Sequence, residues 1–406
     1  MFALVGRARG GCIAALVVAA GAAHAQTSPY YIGVNQAVSY NSNVFRQIDA
    51  FAQSSWWSST SLIGGIDQRY GRQRLYANGN VAANVYGQLS ELNNTSFGAT
   101  AGWDWATVER LSGTVYASLN RNLADYGGFN TTLQNQKNIQ TDLLAYASVD
   151  YGLVSLMAAD LRVAYSSAEY SLQSYGRLYN LDQTSVRARL RKEFSGQLTA
   201  GVGAAYTNGD YTGSGQKFDR YDLFLFGDWR VTGQSTLSGR IGYSWTDYTG
   251  VNPYNQDGLT GWLTWAYAPT GKLNFETQIS YDTQANSVFT NIGSGIPVVT
   301  GQTQQLTSGL QFTAKYAFSA KTSFNASLQF FQQKQDVTNA VVGIDSTRNQ
   351  ITNLVLGATW TPSRAWQVNC GLTLNDRNQS RSSSQPITLL PYTAYGGSCS
   401  AQLVLQ

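Results

Sequence analysis

Three arginines alternate with apolar residues at positions 186–191, which read Val-Arg-Ala-Arg-Leu-Arg. Side chains alternate between two faces along a β-strand, so an extended backbone would place Arg187, Arg189 and Arg191 in one row. On the wall of a water-filled pore, this row would attract an anionic solute or polymer. It would equally form the positive half of an internal salt-bridge network, because several acidic residues have the same predicted facing. Other arginines predicted to face the same way are Arg74, Arg162, Arg220, Arg230 and Arg240.

The segment 75–86 has the clearest alternation in the chain. One face carries Leu, Ala, Gly and Val, and the other carries mainly Asn and Tyr, as expected for a strand between lipid and a wet lumen. Amides suit hydroxyl-rich ligands, and Tyr rings offer faces to sugars, so the set as a whole favours a carbohydrate path. Ordinary wetting of a pore wall is the better explanation of any single member. The predicted lumen residues are Tyr76, Asn78, Asn80, Asn84, Tyr86 and Tyr116, with Tyr146 as a further ring.

Catalytic and metal chemistry have few candidate residues. The single histidine, His24, lies in the predicted signal peptide. The mature chain would therefore have no histidine for a hydrolase triad or a His-based metal site. We therefore expect no enzyme, no metal and no cofactor. The 27 basic and 23 acidic residues nearly balance, which argues against a nucleic-acid partner.

The amino terminus has the features of a secretory signal peptide. Arg7 and Arg9 precede a run of small and apolar residues that ends at Ala23-His24-Ala25, a small-x-small cleavage site. The run is short for a membrane span, so an uncleaved anchor is the less favoured alternative. We expect a signal peptide at 1–25 and a single outer-membrane β-barrel at 26–406.

The rest of the chain combines few charges with abundant Gly, Tyr, Trp and Phe. Period-2 alternation recurs in eighteen segments, and this predicts an all-β fold, a single transmembrane antiparallel barrel of about 18 strands, with 16 as the next count. Short links follow the even-numbered segments and longer ones, such as 284–303 and 334–348, follow the odd-numbered segments. Aromatic residues cluster at both predicted strand ends. These features place the barrel in the lipid outer membrane of a Gram-negative bacterium. They also predict that both termini are periplasmic.

Cys370 and Cys399 fall on the last two predicted strands, at similar heights on the lipid-facing side. Because the periplasm is oxidising, we predict a cross-strand disulfide between them. Two free, lipid-facing thiols are the alternative.

Three short motifs carry a resemblance to a known family. The segments Tyr40–Arg46, Gly71–Leu75 and Gly102–Trp105 resemble the EpsL-type outer-membrane β-barrels of exopolysaccharide-biosynthesis loci, a family of β-barrel porins. This resemblance implies export of a polysaccharide across the outer membrane, together with separate periplasmic or inner-membrane export proteins. The chain departs from the barrel pattern at Gln406, where an aromatic residue is usual.

Two functions follow as expectations. The first is a non-catalytic conduit for exopolysaccharide with a polar, arginine-bearing lumen. The alternative is a general or solute-specific diffusion porin, in which the connection at 284–303 would fold inward as a constriction.

Overall fold

The structure is a computed structural model that describes residues 28–126, 136–153, 157–250, 254–283, 304–339, 343–381 and 391–405. It is built almost entirely of β-strands. The strands are β1 Tyr30–Asn41, β2 Ser55–Tyr70, β3 Gln73–Tyr86, β4 Asn94–Ala106, β5 Leu111–Leu123, β6 Ile139–Leu153, β7 Met157–Tyr170, β8 Leu181–Ser195, β9 Leu198–Tyr211, β10 Gln216–Thr232, β11 Ser235–Thr249, β12 Tyr254–Thr270, β13 Leu273–Asp282, β14 Gln304–Ala317, β15 Thr322–Asn339, β16 Gly343–Trp360, β17 Trp366–Arg381 and β18 Tyr392–Leu405. A short helix, α1 (Gln173–Tyr179), lies between β7 and β8, and two 3₁₀ turns lie at Asp49–Phe51 and Ser90–Leu92.

The eighteen strands form one closed antiparallel sheet. Each strand pairs with its sequence neighbours, and β1 pairs with β18 from Ile32 opposite Leu405 to Asn41 opposite Gly396. Closure satisfies the backbone polar groups that an open edge would leave in hydrocarbon. The predicted all-β barrel of 18 strands is confirmed.

The wall of the barrel has two chemically different faces. On β1 the side chains of Ile32 and Val38 are 62% and 54% exposed, whereas Asn35 and Ser39 on the opposite face are buried. The same alternation exposes large apolar side chains along the outside of the wall, as expected where a barrel contacts lipid. The chain is therefore a transmembrane β-barrel with an apolar outer wall and a polar lumen.

The strands meet short turns at one end of the barrel, which we call the turn end, and longer connections at the other, the loop end. Exposed aromatics at the turn end are Trp103, Trp229, Trp265, Phe318, Trp360 and Trp366. Those at the loop end are Tyr165, Tyr206, Trp245, Tyr281 and Phe330. Amphipathic rings at both ends are expected where a barrel wall crosses the two headgroup layers.

The predicted long connection at 334–348 is shorter than expected, because the strands on both sides of it continue. β15 extends to Asn339 and β16 begins at Gly343, within the stretch predicted as a loop at 334–348. β9 and β10 are likewise joined only by residues 212–215. The extensions of β15 and β16 read Lys-Gln-Asp-Val-Thr-Asn and Gly-Ile-Asp-Ser-Thr-Arg, with too few apolar residues to show an alternation in the sequence. They lie at the loop end of the wall.

The loop end has a hydrophobic core of its own. The connection after β1 folds inward, so that the Phe45 ring packs against Tyr126 with centroids 5.1 Å apart. Arg46 Nε lies 3.6 Å from Asp125 Oδ1 in the same contact. Tyr86 belongs to this core, because it is 5% exposed and stacks on Trp57 at 5.2 Å. Tyr86 is therefore packed into this core, and that its ring borders the solute path remains a prediction.

Other predictions stay open. The signal peptide at 1–25 and the connection at 284–303 lie outside the described residues. The start of β1 and the end of β18 lie at the turn end, and that this end faces the periplasm remains a prediction. Among the described residues, no helix is both long and apolar enough to cross a membrane.

Candidate functional site

The predicted arginine row is placed on the inner wall by β7 and β8. Arg187, Arg189 and Arg191 share the lumen face of β8, and the residues between them are exposed on the outside. The register puts Arg162 directly opposite Arg187 and Asp160 directly opposite Arg189. The four guanidiniums that the sequence singled out therefore lie on one part of the wall.

Two of these arginines are neutralised by carboxylates. Arg189 Nε donates to both oxygens of Asp160, at 2.8 and 3.1 Å, and the Asp160 side chain is buried. Arg191 Nη2 donates to Asp150 Oδ1 at 2.8 Å. Arg189 and Arg191 therefore belong to an internal salt-bridge network, which is one of the two interpretations that the sequence allowed.

The other two are not neutralised. Among the described residues, no carboxylate oxygen lies within 4.0 Å of the guanidinium of Arg162 or Arg187. Arg187 Nε is buried and has no hydrogen-bond partner within the described ranges. The Arg162 guanidinium instead sits over the Tyr146 ring, 3.6 Å from its centroid. These two side chains leave positive charge available to a solute in the lumen.

A band of tyrosine rings leads up to this pair. Tyr146 stacks on Tyr116 of the neighbouring strand, with centroids 5.1 Å apart and planes at 28°. Tyr76 lies flat over Gly102 of β4, where a Cβ atom would stand 2.2 Å from the ring. Since Gly102 is opposite Tyr116, the three rings follow one another around the wall. We call Tyr76, Tyr116 and Tyr146 the tyrosine strip.

The two ends of the tyrosine strip differ in the net charge beside them. Arg74 sits over the Tyr76 ring at 4.7 Å, and its Nε donates to Asp67 Oδ1 at 2.8 Å. Asp104 lies 3.6 Å from the same guanidinium. The strip therefore runs from a neutralised arginine at Arg74 to arginines without carboxylate partners at Arg162 and Arg187.

Sequence reasoning missed two phenylalanines on the lumen side of β10. The Arg189 guanidinium lies 5.1 Å from the centroid of the Phe226 ring, and the Arg240 guanidinium lies 3.9 Å from the centroid of the Phe224 ring. Gly203 on β9 gives the Phe224 ring its space, because a Cβ there would meet the ring at 2.5 Å. The stretch 223–226, Leu-Phe-Leu-Phe, is apolar on both faces, so its alternation was hidden. The presence of Gly on β9 opposite Phe on β10 was the available signal.

Arg220, also on β10, is fully buried in an ion-pair network. Its guanidinium contacts Asp222 and Asp282 at 2.9 and 3.0 Å and donates to the Ser244 hydroxyl at 2.9 Å. Arg240 lies 3.4 Å from the same Asp222. A buried charge with two carboxylate partners braces the wall and is closed to solutes. Within the described part of the chain, no three His, Cys, Asp or Glu side chains gather as a metal site.

The remaining predicted residues divide by their accessibility. Asn78 and Asn80 are exposed on the inward face of β3. Asn84 is held by the wall, since its amide nitrogen donates to Asn94 Oδ1 and Ser96 Oγ at 3.0 Å each. Cys370 and Cys399 are opposite one another on the outer face, with Sγ atoms bonded at 2.14 Å. They cross-link the last hairpin and do not reach the lumen.

The fold and the charged inner wall define a class: an 18-stranded transmembrane β-barrel of the outer membrane with a polar lumen. Solved structures share this fold. The outer membrane protein OpdK of Pseudomonas aeruginosa matches with a TM-score of 0.52 at 13% identity, covering 93% of this chain and 99% of that chain. The structure of OpdK with vanillate matches with a TM-score of 0.53, the same identity and the same coverage. No protein-family model and no curated protein matches this chain.

Proposed function

We propose that this barrel is a non-catalytic diffusion channel that prefers small anions. The observation that carries the proposal is the Arg162–Arg187 pair, whose charge the neighbouring carboxylates leave uncompensated. A fixed positive charge on a narrow, low-dielectric wall raises the local concentration of anions. Arg189, Arg191, Arg220 and Arg240 add little, because each of them faces a carboxylate.

The tyrosine strip supports a preference for anions that carry a ring. Stacking of Tyr116 on Tyr146 and the cation–π contact of Tyr146 with Arg162 hold two rings beside this guanidinium. A solute with a flat face and a carboxylate would contact the strip and the arginines together. OpdK, which shares the fold, has been crystallised with vanillate, an aromatic carboxylate. We therefore propose ring-bearing carboxylates as the preferred solutes.

Export of an exopolysaccharide is the second candidate. The resemblance to the EpsL-type family rests on three short motifs, and the exposed amides of Asn78 and Asn80 beside Tyr76 would suit a hydroxyl-rich polymer. This function would require separate periplasmic or inner-membrane export proteins. A conduit for a polymer would stay closed in isolation, whereas a diffusion channel conducts alone.

Planar bilayer recording of the purified chain tests the proposal. We expect a steady open channel whose reversal potential in a salt gradient has the sign of anion preference. Cation preference, or equal permeability to both ions, would refute the proposal. A silent channel, together with loss of secreted polymer in a deletion strain, would instead support the export function.

A further inference from the structure

The outer wall of β1 and β2 carries a polar cluster where the rest of the wall is apolar. Gln36 points to the same side as Ile32, Val34 and Val38, which are exposed to lipid. Thr60 is directly opposite Gln36 in the register. Ser58 is the next outward residue on β2, and with Gln36 and Thr60 it forms what we call the outer polar cluster.

The outer polar cluster lies inside the hydrophobic belt. Gln36 is four residues along β1 from Tyr40, an exposed ring of the loop-end girdle. With a rise of about 3.3 Å per residue and a strand tilt of about 40°, this places the amide roughly 10 Å below the girdle. At comparable positions on β10 and β11 the outward residues are Leu223 and Ile241, both well exposed to lipid.

The hydrogen-bond donors and acceptors of the three side chains are only partly satisfied within the cluster. Gln36 Nε2 donates to Ser58 Oγ at 2.8 Å, and the Thr60 hydroxyl donates to Gln36 Oε1 at 2.6 Å. The other hydrogen of the Gln36 amide has only a long contact with the Ala37 carbonyl, at 3.4 Å. The Ser58 hydroxyl has no acceptor among the described residues. Lipid tails offer no partners to these groups, and uncompensated polar groups in hydrocarbon are costly.

We propose that the β1–β5 outer wall is an interface between copies of this chain, with the outer polar cluster at its hydrogen-bonding contact. The cluster carries both donors and acceptors, so the same patch on a second copy is a complementary partner. Closed homo-oligomers commonly form in this way, by pairing a surface with its own copy or with a neighbouring patch. Lipid tails carry neither donors nor acceptors that could match it.

The wall next to the cluster permits close approach. Ala83 lies opposite Thr60, and the outward residues that follow on β3 and β4 include Gly79, Ala99 and Ala101. A wall of five strands spaced about 4.8 Å apart and about 25 Å tall offers roughly 600 Å² per copy. Two copies together would bury roughly 1,200 Å² of surface, which reaches the lower range of specific protein–protein interfaces.

The test compares oligomeric state in nanodiscs or mild detergent. We expect the wild-type chain at two or more copies per particle, and we expect Gln36→Leu/Ser58→Ala/Thr60→Val to lower the oligomer fraction at least tenfold. A single-copy wild type, or a triple variant that keeps its assembly, would overturn the proposal. The matched control is Leu223→Ala/Ile241→Ala on the other side of the barrel, which should assemble as the wild type does.

Cysteine cross-linking in intact membranes removes any dependence on detergent. Ala83→Cys should give cross-linked copies under mild oxidation, and Ile241→Cys should give none at the same expression level. Equal cross-linking from both positions, or none from Ala83→Cys, would contradict the interface. Neither result depends on the ion preference of the pore, so this inference stands or falls independently of the proposed function.

Discussion

Arg162 and Arg187 are direct cross-strand partners, so two guanidiniums of the same charge lie side by side on the lumen wall. Like charges in this arrangement destabilise a sheet by roughly 0.2–1 kcal/mol. The contact between Arg162 and the Tyr146 ring, 3.6 Å to the centroid, offsets a similar amount, about 0.5–2 kcal/mol. The fold keeps a repulsive pair that an anion in the lumen would relieve.

Removing this pair should lower the anion preference of the pore. In Arg162→Met/Arg187→Met we expect the permeability ratio of chloride to potassium to fall several-fold, because the two uncompensated charges are gone. Reversal potentials in a salt gradient measure the ratio. The matched control is Arg191→Met/Asp150→Asn, which removes one positive and one negative charge and should leave the ratio unchanged. A larger effect in the control than in the test variant would contradict the assignment.

Removing a carboxylate should act in the opposite direction. In Asp160→Asn the Arg189 guanidinium loses its partner, so the lumen gains a free positive charge and anion preference rises. The lost charge-assisted hydrogen bonds should also lower the free energy of unfolding by about 1.5–3 kcal/mol. Reversal potentials and urea unfolding in lipid vesicles measure the two effects. An unchanged reversal potential would show that Arg189 does not face the permeating ions.

The tyrosine strip should distinguish ring-bearing anions from simple ones. We expect benzoate to reduce chloride current more strongly than acetate at equal concentration, and Tyr116→Leu/Tyr146→Leu to abolish the difference, because Leu removes the stacking faces. Glucuronate in the same assay tests whether the strip takes sugar rings as well as aromatic ones. Tyr165→Leu on the outer wall is the control and should keep the benzoate effect. Equal inhibition by benzoate and acetate in the wild type would refute a ring subsite.

The glycine under Tyr76 offers a steric test of the same surface. A Cβ at Gly102 would stand 2.2 Å from the Tyr76 ring, so Gly102→Ala should push the ring off the wall and lower single-channel conductance. Gly64→Ala is the matched control, since the nearest atom to its Cβ is a backbone oxygen at 3.5 Å. Identical conductance in the two variants would mean that Tyr76 does not border the ion path.

The disulfide should contribute to stability and not to conduction. Cys370 and Cys399 are 29 residues apart in sequence and lie on the outer face, so Cys370→Ala/Cys399→Ala should lower the free energy of unfolding by about 2–4 kcal/mol. Urea unfolding with and without reductant measures the loss, and the reductant should have no effect on the variant. Conductance and reversal potential should be unchanged. Two reactive thiols in unreduced, denatured wild-type protein would show that the bond is absent.

Much of the fold could be predicted because lipid and water impose a period of two on every spanning strand. Segment 75–86 shows why: Val81 and Val85 must meet hydrocarbon, and Asn78 and Asn80 must meet water. The prediction failed where this constraint ends. Beyond the belt, β15 and β16 continue into the stretch predicted as a loop at 334–348, and Tyr86 packs with residues of the connections after β1, β3 and β5, whose packing leaves no periodic mark.

The sequence by itself determined the two faces of the wall and the membership of the arginine row, because these follow from local alternation. Closure of the sheet decided between the 18 and 16 strands that the sequence left open. Only the tertiary structure decided which arginines are neutralised. Asp160 and Arg189 are 29 positions apart, and Asp150 and Arg191 are 41 apart, and pairing across strands brings them within 2.8 Å. Arg189 has Asp160 directly opposite on β7, and Arg191 reaches Asp150 two strands away on β6, whereas Arg187 lies opposite Arg162. These neighbours are set by the register, which is a property of the closed sheet.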